Sequence, residues 1–174
     1  MRAVVARGGQ PAVSTLERSA VFSPDGRYRY RLDRAWGSGP PMVAVWLNPS
    51  TADAETDDPT VRRGMGFARA AGCGRLVVVN LFGWRATDPA QLRTAADPVG
   101  PDNDAWIAAA AAEPAAVVVA GWGARADPIR VRTVLGLLGD SQLFCLGRTA
   151  GGAPRHPLYL PATASLAGYP AGSC

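Results

Sequence analysis

The chain is predicted to fold as an α/β protein: a three-layer α/β/α sandwich around a four-stranded parallel sheet, with an N-terminal β-hairpin. Three observations predict it. Four short apolar runs recur along the 174 residues, and each stops abruptly at a polar or glycine residue. Runs of this length bounded by turn signals read as strands buried on both faces. Helix-start signals lie between them, and strands alternating with helices pack as a parallel sheet. A Pro-Asp-Gly turn between two strand-like runs supplies the hairpin.

In chain order, residues 1–19 carry no periodicity and are expected to form a loose arm. Residues 20–36 read as the hairpin, turning at Ser23-Pro-Asp-Gly26 and continuing through the alternating Tyr28 to Arg34. Its Arg27, Arg29, Arg31 and Arg34 are expected to be largely solvated. The α/β core spans 42–161. Met42 to Leu47 is the first buried strand and ends at Asn48-Pro-Ser50. Asp58 then caps a helix with Pro59 at its first position, and Gly72 closes it. Arg75 to Asn80 is the second strand, followed by a long connection, Leu81 to Pro101, of the kind that often carries function. Asp102 opens a helix that runs to Ala112. Ala115 to Gly121 is the third strand, leading to Trp122, and Pro128 to Leu138 reads as another helix. Gln142 to Gly147 is the fourth strand, and the loop after it carries the single histidine, His156. A chain of this length suits one domain, 1–174.

Composition narrows the chemistry. Apolar residues make up 48% and charged residues 18%, which fits a globular fold. No apolar run approaches a membrane span and the N-terminus lacks a signal-peptide core, so a cytoplasmic monomer is the expectation. Cys73, Cys145 and Cys174 have no metal-ligand spacing and read as free thiols. All 18 basic residues are arginine. Without lysine there is no Schiff base and no P-loop lysine for a nucleotide phosphate. A net charge of +4 permits an anionic partner, DNA or a nucleotide.

The four runs deliver Asn48, Asn80, Trp122 and His156 to one edge of the inferred sheet, where open α/β sheets bind ligands. Asn48 donates and accepts hydrogen bonds but barely titrates, so it can hold a water; its structural alternative is to close the Asn-Pro-Ser turn. Asn80 could pair with a base edge while Phe82 or Trp84 stacks on the base, and Trp122 is a further candidate base contact. Otherwise Asn80 satisfies backbone groups at the strand end. His156 can donate a hydrogen bond to a developing anion, or be a surface-loop histidine. Ser50, Arg62, Arg63, Arg85 and Arg155 are candidate phosphate or DNA contacts. The acidic run Asp53, Glu55, Asp57 and Asp58 could supply a general base or a metal ligand. It lacks matching carboxylates on other strands, so neither a metal nor a cofactor is expected.

Leu47-Asn-Pro-Ser-Thr-Ala-Asp53, Asp57-Asp-Pro-Thr60 with Arg62-Arg63, Asn80-Leu-Phe82 and Arg85-Ala-Thr-Asp-Pro89 closely resemble an uncharacterised, mostly bacterial and phage family of unknown function. More distantly, the layout is similar to the uracil-DNA glycosylase superfamily. That resemblance implies a four-stranded parallel sheet, a first motif in which Asn48 positions the attacking water, a base-reading Asn80, and a His-Pro loop whose His156 stabilises the departing base. Leu158 stands where that loop's serine would be. The implied activity is monofunctional hydrolysis of the N-glycosidic bond of a modified or damaged base in DNA. A nucleoside or nucleotide N-glycosidase, a non-catalytic nucleic-acid or nucleotide binder, and a metal-dependent hydrolase built on the acidic run are the alternatives.

Overall fold

A computed structural model describes residues 15–50, 52–88 and 92–170. Strands β1 (Glu17–Phe22) and β2 (Arg29–Ala35) form the hairpin. They are followed by β3 (Pro41–Trp46), helix α1 (Pro59–Ala70), β4 (Arg75–Asn80), α2 (Asn103–Ala111), β5 (Val117–Ala120), α3 (Pro128–Leu137), β6 (Leu143–Cys145) and β7 (Ala167–Gly168). The strands make one seven-stranded sheet in the order β1-β2-β4-β3-β5-β6-β7. β3 pairs in parallel with β4 and β5, and β5 with β6. The hairpin joins β4 antiparallel, and β7 joins β6 antiparallel.

The expected four-stranded parallel sheet is therefore corrected to a mixed seven-stranded one. The reason is edge protection. Unpaired strand edges expose backbone donors and acceptors, and β2 and β7 occupy the edges that β4 and β6 would otherwise leave open.

Every residue of β3 is buried, because helices cover both faces of the sheet. Met42, Ala44 and Trp46, with Leu76 and Val78 of β4, pack against Val61, Met65 and Ala68 of α1. The alternate residues Val43, Val45, Val77 and Val79 join Val118 of β5 against Ile107 of α2 and Val131 and Val134 of α3. Each valine so buried contributes roughly 1.5–3 kcal/mol relative to exposure. That alternation, period two on strands and three to four on helices, produces the three layers.

Local signals set the helix starts. Asp58 accepts a hydrogen bond from the Val61 amide at 2.8 Å, with Pro59 opening α1. Asp127 caps α3 in the same way through the Arg130 amide at 2.8 Å. Asp102 lies at the start of α2 but makes no side-chain cap bond.

Two expectations for the N-terminal region change. Residues 17–19 belong to β1 rather than to a loose arm, since they pair with Arg34, Asp33 and their neighbours; residues 1–14 lie outside the described residues. The hairpin arginines are not uniformly solvated either. Arg27 is exposed, but Arg29 and Arg34 are 2% and 0% exposed. Arg34 falls two residues after the buried Leu32, so its side chain points to the covered face. There it meets Asp57 at 2.6 Å and the carbonyl of Asp53 at 2.6 Å, fastening the acidic loop after β3 to the sheet. Arg31, on the other face, pairs with Asp33 and Glu113, both at 2.6 Å.

Cys73 and Cys145 are buried free thiols, and Cys174 lies outside the described residues. No helix among the described residues is long and apolar enough to cross a membrane.

Candidate functional site

A cleft of about 620 Å³ opens beyond the carboxyl ends of β3, β5 and β6. Backbone hydrogen bonds carry the ladders past the strand ends and fix its walls. The Leu81 amide donates to the Trp46 carbonyl at 2.8 Å, and the Gly121 amide to that of Val45 at 2.9 Å. The Ala86 amide, from the long connection after β4, donates to the Pro49 carbonyl at 3.0 Å. Asn48 and Ser50 enter the cleft from the loop after β3, and Thr60 from the first turn of α1. Trp122 and Gly123 enter after β5, and Arg155 and His156 after β6.

Asn48 has a fixed orientation. Its Nδ2 donates to the carbonyls of Ala86 at 2.8 Å and Pro49 at 3.0 Å. Both amide hydrogens are thereby used, which leaves Oδ1 as the free acceptor of a cleft-lining side chain. The turn-closing role and a water-holding role are compatible in this geometry, because they use different atoms.

His156 precedes a 3₁₀ turn, Pro157–Tyr159, and its Nδ1 accepts from the Leu158 amide at 3.4 Å. A ring whose Nδ1 accepts carries its proton on Nε2 when neutral. Burial pushes the imidazole below its usual 6.5, against an opposing pull from Asp58. Neutral His156 is thus an Nε2–H donor beside the cleft.

The walls are aromatic. Trp46 reaches the cleft from the end of β3, 6.2 Å from the His156 ring, and Tyr159 lies 5.8 Å from that ring on the other side. Trp122 is held edge-on by Tyr169 at 5.9 Å. Gly121 and Gly123 make room for this packing. A Cβ on Gly121 would stand 3.0 Å from the Trp46 ring, and Gly123 adopts φ +80°, a conformation glycine takes without strain.

Of the ten residues singled out from the sequence, Asn48, Ser50, Trp122, Arg155 and His156 line this cleft. The other five do not. Asn80 is fully buried beneath it, and among the described residues neither Oδ1 nor Nδ2 has a hydrogen-bond partner. Its backbone carbonyl is held instead by Asn103 Nδ2 at 3.0 Å. Phe82 packs into the core face covered by α2 and α3. Arg62 donates to the Asp57 carbonyl, and Arg63 to that of Leu160, tying the loop after His156 to α1. Arg85 donates to the Gly26 carbonyl at 3.1 Å and stacks on Phe22, 4.9 Å from the ring centroid. Arg63 and Arg85 thus serve as internal clamps, whereas Arg62 is exposed on α1.

Of the acidic run, Asp58 also lines the cleft, Glu55 is exposed, and the other side chains are engaged in the fold. Asp57 pairs with Arg34, Asp58 caps α1, and Asp53 accepts from the amides of Thr56 and Glu55, which hold its carboxyl below the usual range. No group of acidic, histidine or cysteine side chains able to hold a metal occurs among the described residues.

Several cleft residues escaped the sequence reading, among them Trp46, Thr60, Arg125 and Tyr159, and the most deeply placed charged one is Arg29. Arg29, at the start of β2, lines the cleft from its inner side while only 2% exposed. In sequence it is one arginine among four in an alternating strand. Its burial depends on the loop residues Ala52 and Gly83, which arrive from distant parts of the chain.

Residues 29–158 match the family described as Protein of unknown function (DUF1643), and the chain belongs to it. No curated protein and no solved structure matches the chain.

Proposed function

We propose that this member of a family without an assigned activity is an N-glycosidase, hydrolysing the bond between a modified or damaged base and its sugar in DNA. One observation carries the reading. A free amide acceptor on Asn48 and an Nε2–H donor on a neutral His156 line the same aromatic-walled cleft. Those are the two groups that the reaction requires, one for the nucleophile and one for the leaving group.

In this mechanism the base enters between Trp46, Trp122 and Tyr159, and Asn48 Oδ1 accepts a hydrogen bond from a water. The water oxygen forms a bond to C1′ as the C1′–N bond breaks and its electron pair leaves with the base. His156 Nε2–H stabilises the charge on the departing base, and the water's proton passes to solvent or to the released base. Two fixed groups suffice where the base is a good leaving group, because orientation alone removes much of the barrier. With no lysine in the chain, the product is an abasic site without lysine-dependent strand cleavage.

The central strand order β4-β3-β5-β6, with Asn48-Pro49 after β3 and His156-Pro157 after β6, supports the likeness to uracil-DNA glycosylases. A strand substrate is favoured by Leu158 and Tyr159, apolar side chains 40% and 71% exposed at the rim. Such residues can fill the gap that an extruded base leaves in the stack. A free nucleotide is the second reading, favoured because Arg62, Arg63 and Arg85 bond to main-chain carbonyls away from the cleft, which leaves Arg125 and Arg155 as the exposed cations lining it.

The test is base release followed by mass spectrometry. The substrates are oligonucleotides carrying uracil, hypoxanthine, or hydroxymethylated or glucosylated pyrimidines, and the free nucleosides and nucleotides. Release by the native chain, lost in both Asn48→Ala and His156→Ala, is the expected outcome. No release from any substrate by a folded protein that still binds oligonucleotide contradicts the proposal and leaves a binding protein.

A further inference from the structure

Arg29 is a buried cation without a counter-ion. Its side chain makes one hydrogen bond, from Nη1 to the Ala52 carbonyl at 2.6 Å, and its Nε has no partner. No carboxylate lies within ion-pair distance of it among the described residues; Asp57 is taken by Arg34, and Asp58 by the α1 cap. Burial lowers its pKa to about 10, still far above neutrality, so the guanidinium remains charged. Asp58, which also lines the cleft, is the largest charge acting on Arg29 and favours the charged form; Arg85 and Arg34 oppose that form, and Asp53 supports it weakly.

A desolvated charge left in this way is costly, and proteins keep one where an opposite charge arrives with a ligand. Arg29 lines the cleft, so an anion bound there can supply that charge. Ser50 and Thr60, which also line the cleft, offer hydroxyl donors to the same oxyanion.

We propose that Arg29 is the oxyanion-binding residue of this cleft, and that the anion is a phosphate group of the substrate. The inference deepens the N-glycosidase reading and rests on it for the identity of the substrate. The phosphate has two possible sources, the monoester of a free nucleotide and the backbone diester beside an extruded nucleotide. A guanidinium suits both, because its planar fork matches a phosphate edge.

The experiment measures the thermal unfolding midpoint of the native full-length chain in inorganic phosphate, against chloride at matched ionic strength. A saturable rise of about 5 °C or more is expected at about a hundredfold excess over Kd. Arg29→Gln, which keeps an amide donor for Ala52 but no charge, should lose that rise, as should Arg29→Met. Thymidine 5′-monophosphate and a short oligonucleotide then identify the source. An Arg29-dependent rise with the mononucleotide assigns the monoester, and one with the oligonucleotide alone assigns the backbone. No rise over chloride in the native chain overturns the proposal, and so does an undiminished rise in either variant. Should neither variant fold, the native comparison with chloride decides. The two proposals fail separately. Absent base release with an intact phosphate response removes the N-glycosidase, and base release without a phosphate response removes the role of Arg29.

Discussion

Hydrogen-bond bookkeeping gives Asn48 and His156 their chemical character. Asn48 spends both amide hydrogens on Ala86 and Pro49, which fixes which of its atoms can serve a ligand. His156 spends Nδ1 on the Leu158 amide and so presents a proton on Nε2. Its burial has a consequence for stability. The native pKa lies below 6.5, so on acidification the unfolded ring takes up a proton first. The contribution of His156 is complete above pH 6.5 and is lost as pH falls through the lowered native value. Between neutrality and pH 5, His156→Gln is therefore expected to lose less stability in urea titrations than the native chain. An equal or greater loss in the variant contradicts the burial argument. Base release should also persist on acidification past the ordinary imidazole value, until the lowered native pKa is reached. At this scale the sequence is legible where one position decides and opaque where partners come from afar. Asn48 and His156 reach the cleft because a strand end and a proline turn aim them. Asn80 occupies the equivalent strand end, yet in register with Trp46 it is fully buried and does not reach the cleft. Arg29 and Arg63 could not be read from the chain, since Ala52 and Leu160 are brought to them only by the completed fold.

The junction of α1 with β3 is the element that positions the cleft. Gly64 lies where the helix crosses the sheet; a Cβ there would stand 2.9 Å from Cζ2 of Trp46 and 3.1 Å from Cδ2 of Leu76. The Trp46 ring is rigid and buried, so it can yield little to an added methyl group. Gly64→Ala is expected to cost roughly 1–3 kcal/mol from overpacking, against a helix-propensity gain of at most about 1 kcal/mol. Thermal unfolding checks this: a lowered midpoint is expected, and an unchanged or raised one contradicts the packing account. The elements themselves were largely legible. The uninterrupted valines of β4 and β5 and the Asp58-Pro59 start of α1 lie within a residue or two of their predicted places. The edge strands were not. β7 spans only two residues, and residues 17–19 of β1 are exposed, so neither carries a hydrophobic period. Both form because a neighbouring edge offers unpaired backbone, which no local pattern records.

Across the whole molecule, a sheet covered on both faces leaves its carboxyl edge as the place for a ligand, and the cleft lies there. The proposed ligand is anionic, and the distribution of arginines bears on that proposal. Most arginines are tied to carboxylates or carbonyls inside the fold, whereas Arg29 lacks a counter-ion on the inner wall and Arg125 and Arg155 are exposed where they line the cleft. A metal-dependent phosphoesterase built on the acidic run is less well supported, because Asp53, Asp57 and Asp58 are each engaged in holding the loop and the start of α1. The most direct test of the account is turnover of a substrate identified by base release, run in water labelled with heavy oxygen and read by mass spectrometry. Cleavage at the glycosidic bond predicts an unlabelled free base and a sugar that carries one heavy oxygen. Label in a phosphate group, or a strand cut with the base still attached, would contradict it.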